Sequence, residues 1–138
     1  MYNKLLVAID HSAISDRVLA AATELAGSAD CEIEILHLRE REVIGRLGQV
    51  PAESDTEAED QVDAAVGKVA ESGLRARGTV RDSLFGQAAR EIVEEARRIR
   101  ADVIVMGSRG RGDLAGLLLG STAHKVIHLT DRPVLIVR

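Results

Sequence analysis

Five consecutive apolar residues, Leu5-Leu6-Val7-Ala8-Ile9, carry no polar face, and neither does Val103-Ile104-Val105-Met106. A strand of that kind must be covered on both sides, which is the condition of a parallel sheet sandwiched between helices. The segments between these runs read as helices and further strands in alternation. Ser12 is placed to cap a helix in which Ile14, Val18, Ala21, Ala22 and Leu25 recur at helical spacing, and Gly27 stops it. Cys31 to Leu38 first alternates Glu32 and Glu34 with Ile33 and Ile35, then turns apolar apart from His37, and reads as a second strand. Ser54-Asp55-Thr56-Glu57 matches a capping box and opens a helix through Val62, Ala65, Val66, Val69 and Ala70 to Ser72-Gly73.

A third strand, Leu74 to Val80, directs Arg75 and Arg77 away from the core. Asp82 or Ser83 is expected to cap a third helix, with Phe85, Ala88, Ala89, Ile92, Val93, Ala96 and Ile99 on one face. Asp102 to Met106 is a fourth strand, Ser121 starts a short helix to about Thr130, and Pro133 to Val137 is the last strand. Only Arg39 to Glu53 resists a period, because Gly45, Gly48 and Pro51 interrupt it; it is expected to be a loop of about fifteen residues. The fold class is therefore α/β: one open, mostly parallel five-stranded sheet with helices on both faces. At 138 residues the chain is expected to be a single domain, 1–138.

Charge and aromatic content limit the partners. The net charge of -4 argues against a nucleic-acid binder that works by neutralising phosphates. The aromatics are Tyr2 and Phe85, which offers no platform for stacking successive bases. No stretch approaches the length of a membrane span, and the single cysteine, Cys31, cannot form an internal disulfide. A cytoplasmic protein is expected. The acids cluster between Arg39 and Asp60, whereas Arg97, Arg98, Arg100, Arg109 and Arg111 face only Asp102 between Ala96 and Gly112. An anion is expected near the second stretch.

That stretch leads into the most informative segment. Gly107, Gly110, Gly112, Gly116 and Gly120 follow a buried strand directly and precede a helix directly. Glycine lets backbone amides approach an anion with no β-carbon in the way. Gly120-Ser121-Thr122 stands at a helix N-terminus, where unsatisfied amides and the helix dipole favour negative charge. A crossover loop with ordinary caps is the plainer alternative. A Walker loop is excluded, because Asp113-Leu114 stand where Lys-Ser/Thr is required. Gly110-Arg-Gly112-Asp-Leu-Ala115 matches a dinucleotide fingerprint but has too little chain after it for the βαβ unit that fingerprint needs. Asp10, at the carboxyl end of the first strand, stands where ligands enter open α/β sheets; it serves either a ribose hydroxyl or base amine, or the cap of the first helix.

Gly107-x2-Gly110-x9-Gly120-Ser121 resembles the G-x2-G-x9-G-[S/T] signature of the universal stress protein family. The resemblance extends to Leu5-Leu-Val-Ala-Ile-Asp10-His-Ser12, Ile35-Leu-His37-Leu38, Asp102-Val-Ile-Val-Met-Gly-Ser-Arg-Gly110 and Arg132-Pro-Val-Leu-Ile-Val-Arg138. It implies a Rossmann-like sheet ordered 3-2-1-4-5, a homodimer joined through the last strand (Pro133 to Val137), and binding of ATP, with AMP or ADP as alternatives and Mg²⁺ accompanying the phosphates. Carried over by position, Ala8 and Asp10 border adenine and ribose, and Leu38 offers backbone to the adenine. Met106, Gly107, Gly110, Gly120, Ser121 and Thr122 surround ribose and phosphates. Thr122 stands where the family often has Val, and His11 where Gly or Phe is common. The edge strand supports the dimer on physical grounds, since a short apolar edge invites pairing with its own copy.

Other residues fit plainer roles. His124 and His128 share a helix face at metal-ligand spacing, but Lys125 stands where a zinc protease needs Glu and no third ligand suggests itself. His37 is expected to be a hydrogen-bonded histidine beside the crevice, and Cys31 has no basic neighbour in sequence to activate it. The acids after Arg39 read as a solvated face or as a lid for a partner. Three functions follow: a nucleotide-binding regulatory protein read by a protein partner; a slow ATPase or nucleotidyl-transfer enzyme using Asp10; and a nucleotide-free interaction module. The first has the most support, because no catalytic base and no HIGH or SGGxDS motif accompanies the glycines.

Overall fold

The computed structural model describes residues 1–10, 12–43, 49–51, 54–110 and 118–138. The expectations for His11, Arg111, Gly112, Gly116 and the middle of the 39–53 segment lie outside the described residues. In chain order the elements are β1 (Lys4–Ile9), α1 (Ser15–Ala26), β2 (Glu32–Val43), β3 (Gln49–Pro51), α2 (Asp55–Glu71), β4 (Arg75–Leu84), α3 (Ala88–Ile99), β5 (Val103–Gly107), α4 (Ser121–Leu129) and β6 (Val134–Val137). Five strands run parallel in the order β4-β2-β1-β5-β6, which is the expected 3-2-1-4-5 counted over those five. The strand order reverses at β1, with β2 and β4 added on one side of it and β5 and β6 on the other, so the switch point lies at the carboxyl end of β1.

Alternation along β1 assigns the helices to faces. Leu5, Val7 and Ile9 pack with Val18, Leu19 and Ala22 of α1 and Ala65 and Val69 of α2. Leu6 packs on the opposite face with Ala89, Ile92 and Val93 of α3 and Ala123 and Val126 of α4. Gly78 of β4 is required by the first of these layers: a Cβ there would lie 2.9 Å from Val66 Cγ2 and still closer to Val62 Cγ1. Among the described residues no helix is long and apolar enough to cross a membrane.

The helix signals behave unevenly. Ser54 accepts from Glu57 N at 3.1 Å, as the capping box requires, and Gly27 ends α1 at φ 71°. Ser12, in contrast, caps nothing: the N-cap of α1 is Ile14, without a side-chain bond. Asp82 and Ser83 do not cap α3 either. They belong to β4, which continues to Leu84 in register with β2, and α3 begins only after Gln87. The physical reason is Arg39, which is 7% exposed and donates from Nε and Nη2 to the two Asp82 carboxylate oxygens at 2.6 and 3.0 Å and from Nη1 to Asp55. That bridge holds β2 and β4 together past the point where their side chains stop alternating. Phe85 consequently sits on the turn after β4, 71% exposed, and not on the core face of a helix. The expected 39–53 loop is likewise corrected: β2 reaches Val43 and meets β3 in an antiparallel pairing, Arg41↔Pro51 to Val43↔Gln49.

Candidate functional site

A cavity of about 510 Å³ opens at the carboxyl ends of β1, β2 and β5, at the switch point. Ala8, Asp10, Leu38, Met106, Gly107, Gly110, Gly120, Ser121 and Thr122 all line it. These nine residues come from three strands, the positions that follow β1 and β5, and one helix start, and the sheet order brings them to one place.

The cavity has two chemically distinct ends. One is apolar: Ala8, Leu36, Leu38 and Met106 rise from the sheet, and Ala88, Ala89 and Ile92 descend from α3. The other is built on the glycine segment. Gly120 N donates to Ser108 O, and Ser108 N donates to Val137 O at 2.7 Å. The first bond ties the segment's ends together, so that Gly107 to Gly110 lies beside the start of α4, and the second anchors them to the end of β6. A Cβ on Gly107 would meet both Arg109 O and Ile14 Cγ2 at 3.1 Å, so the bare backbone lets the segment close against α1. Gly120 is the N-cap of α4 and contributes no side chain, leaving the first-turn amides directed along the helix axis at the cavity wall. Ser121 and Thr122 add hydroxyls, and Arg109 and Lys125 add positive charge. Such an end is suited to an anion.

Asp10 lines the cavity after β1 and does not cap α1, whose N-cap is Ile14. Its Oδ1 accepts from Ser12 N at 2.8 Å, shaping the turn into α1. Its carbonyl accepts from Ser15 Oγ at 2.6 Å and from Gln61 Nε2 at 2.7 Å, so α1 and α2 both pin its backbone while the residue lines the cavity. Ser12 Oγ, also on the wall, is buried without a partner among the described residues. His37, 2% exposed, places Nδ1 3.1 Å from Ile9 O. A carbonyl only accepts, so Nδ1 carries the hydrogen.

Three further side chains, Lys125, Glu40 and Phe85, also line the cavity. Lys125 lies one helical turn after Ser121, a spacing that predicts the same helix face. Glu40 and Phe85 had no such signal, because each reaches the cavity only through the extended β2–β4 pairing. Next to the apolar end, Glu34 of β2 and Glu95 of α3 are buried together. Glu95 accepts from Arg81 Nη2 at 2.6 Å and Arg98 Nε at 3.1 Å, and the Arg98 bond holds its carboxyl below the usual range. Burial, reinforced by Glu95, pushes Glu34 up. Cys31 is fully buried, and that burial raises its thiol pKa against the smaller effect of Arg75, which is near it only in space. The rings of His124 and His128 meet edge to face at 4.6 Å, and no third metal-ligating side chain joins them among the described residues.

An open parallel sheet with its cavity at the switch point defines a Rossmann-like α/β protein. The model of the universal stress protein family matches residues 1–138, and the chain belongs to that family. It is 36% identical to universal stress protein YxiE of Bacillus subtilis, with all of both chains covered. Among solved structures it is similar to a universal stress protein from Archaeoglobus fulgidus in complex with dAMP, at 25% identity and a TM-score of 0.76, covering 99% of this chain and 98% of that one. A further universal stress protein, in complex with cAMP, shares the fold at 22% identity and a TM-score of 0.65, with 99% and 97% covered.

Proposed function

We propose that this protein binds an adenine nucleotide in the switch-point cavity and acts as a homodimeric regulatory protein whose nucleotide state is read by a protein partner. The observation that carries the reading is the cavity's division into an apolar end and an anion-suited end, with Asp10 between them. A nucleoside phosphate has the same order of parts: a flat base, a ribose with hydroxyls to bond a carboxylate, and phosphates. Ala8, Leu38 and Met106 would border the base, Asp10 the ribose, and Gly107, Gly110, Gly120, Ser121 and Thr122 the phosphates. The relative from Archaeoglobus fulgidus, in complex with dAMP, supports an adenine base. ATP is the ligand we favour over AMP or ADP, because Arg109 and Lys125 add charge for more than one phosphate. Mg²⁺ would accompany those phosphates.

The dimer would form along β6. Val134 to Val137 are all half-buried, and β6 pairs only with β5 among the described residues, which leaves an apolar edge for a second copy. Native mass spectrometry of freshly purified protein tests both parts. The expected species is a dimer that retains an adenine nucleotide, and Gly120→Val loses the nucleotide by filling the phosphate end. A bare protein that stays bare at millimolar ATP would leave the interaction module as the surviving reading. Turnover above about 10⁻³ s⁻¹, abolished by Asp10→Asn with ATP affinity retained, would establish an enzyme instead.

A further inference from the structure

Phe85 is the chain's one phenylalanine, and it stands 71% exposed on the rim of the cavity. Its position is built. Leu84 O accepts from Gln87 N at 2.9 Å and Gly86 adopts φ +85°, the pattern of a type II turn with Phe85 at its first central position. The turn is anchored at both ends: Leu84 pairs with Arg41 in the sheet, and Glu91 N donates to Gln87 O at the start of α3. Leu38 pairs with Arg81, so Phe85 stands beyond Leu38 toward the open end of the crevice. Below it the apolar end is walled by aliphatic side chains from the sheet and α3, and the lining's other ring, His37, is buried with its Nδ1 held to Ile9 O.

We propose that Phe85 is the cover of the base, a specificity-determining residue that packs its ring on a planar heteroaromatic group held at the apolar end. This rests on the nucleotide reading of the same cavity. A ring left in water at the rim of an apolar pocket gains both burial and stacking when a flat ligand arrives, and a rigid turn loses little entropy in presenting it. Leu84, also exposed at 47%, lies on the preceding strand residue and does not line the cavity. The site therefore favours ligands with a base over sugar phosphates that lack one.

The test compares AMP with ribose 5-phosphate by calorimetry on wild type, Phe85→Ala and Phe85→Trp, with circular dichroism as the check on folding. Phe85→Ala is expected to weaken AMP binding about tenfold, in line with the loss of one base-stacking contact, and to leave ribose 5-phosphate unchanged. The chain has no tryptophan, so Phe85→Trp introduces a single indole that can be excited apart from Tyr2. Its emission is expected to be quenched by AMP and not by ribose 5-phosphate. AMP binding that is equal in wild type and Phe85→Ala overturns the role of Phe85 alone. Wild-type protein that binds no AMP removes the nucleotide reading and the role of Phe85 together.

Discussion

The two faces of the sheet are packed with different chemistry. Between the sheet and the α1–α2 layer the centre is apolar, Leu5, Val7, Ile33 and Ile35 against Val18, Ala22 and Val69, and the buried His37 and Arg39 stand at its carboxyl edge, where Arg39 reaches Asp55 of α2. Between the sheet and the α3–α4 layer, Leu6, Leu36 and Ile104 share the space with the Glu34–Glu95 pair, and beside them opens the cavity. One face keeps an apolar centre and confines its charge to the edge. The other gives up close packing to hold charge and a ligand-sized space, which teaches that stability and binding are assigned to opposite sides of the same strands.

The sharpest way to break that comparison is to remove equal side chains from each face. Leu5→Ala, on the closed face, is expected to cost about 3–5 kcal/mol, because its neighbours are fixed and the hole stays empty. Leu36→Ala is expected to cost about 2–3 kcal/mol, since its side chain already borders an open cavity. Urea unfolding measures both, and equal losses would show that the faces do not differ in packing. Nucleotide affinity should move the opposite way, falling in Leu36→Ala and holding in Leu5→Ala.

Smaller effects come from the charged pair. Glu95→Gln is expected to destabilise by about 2 kcal/mol at pH 7, less than for a wholly buried pair because Arg98 is 62% exposed. Its native pKa lies below the unfolded one, so its contribution is present above the unfolded value and lost as pH falls through the native value. The gap between Glu95→Gln and wild type therefore narrows in acid. Glu34 has the opposite sign. With its native pKa raised, stability falls as pH rises from the unfolded value through the native one. Glu34→Gln should accordingly be the more stable protein at pH 7, with the advantage vanishing toward pH 4. Thermal unfolding across that range checks both signs, and parallel curves for the two variants would sink the assignment.

Much of the fold is legible without coordinates, wherever the cause is local. The β1 and β5 runs are apolar on every residue, and such strands have no place except the middle of a covered sheet. Ser54 and Gly27 mark their helix ends because a cap bond and a left-handed glycine act within a few residues. The extension of β2 and β4 was not legible. Arg39 to Arg41 and Arg81 to Ser83 read as polar loop and helix cap, and only their mutual register and the Arg39–Asp82 bridge make them strand. Phe85 was misplaced for the same reason: its period fits a helix, but the strand outlasts the pattern and delivers it to a turn. Lys125 could have been found from its spacing to Ser121, whereas Glu40 could not.

What the chain's own residues determine here is the alternation of elements, the apolar centre of the sheet and the glycine spacing of the anion-suited segment. Each of these depends on conformations and contacts available within a single element. Tertiary structure decides which elements become neighbours. It sets β1 between β2 and β5, draws Gly107 and Gly120 together through Ser108, and assembles the cavity from residues more than a hundred positions apart. It also buries Glu34 against Glu95 and lifts Phe85 to the rim. The reason is physical: these contacts form only after distant segments have been closed into one sheet, and no local pattern encodes the partner that a side chain will meet.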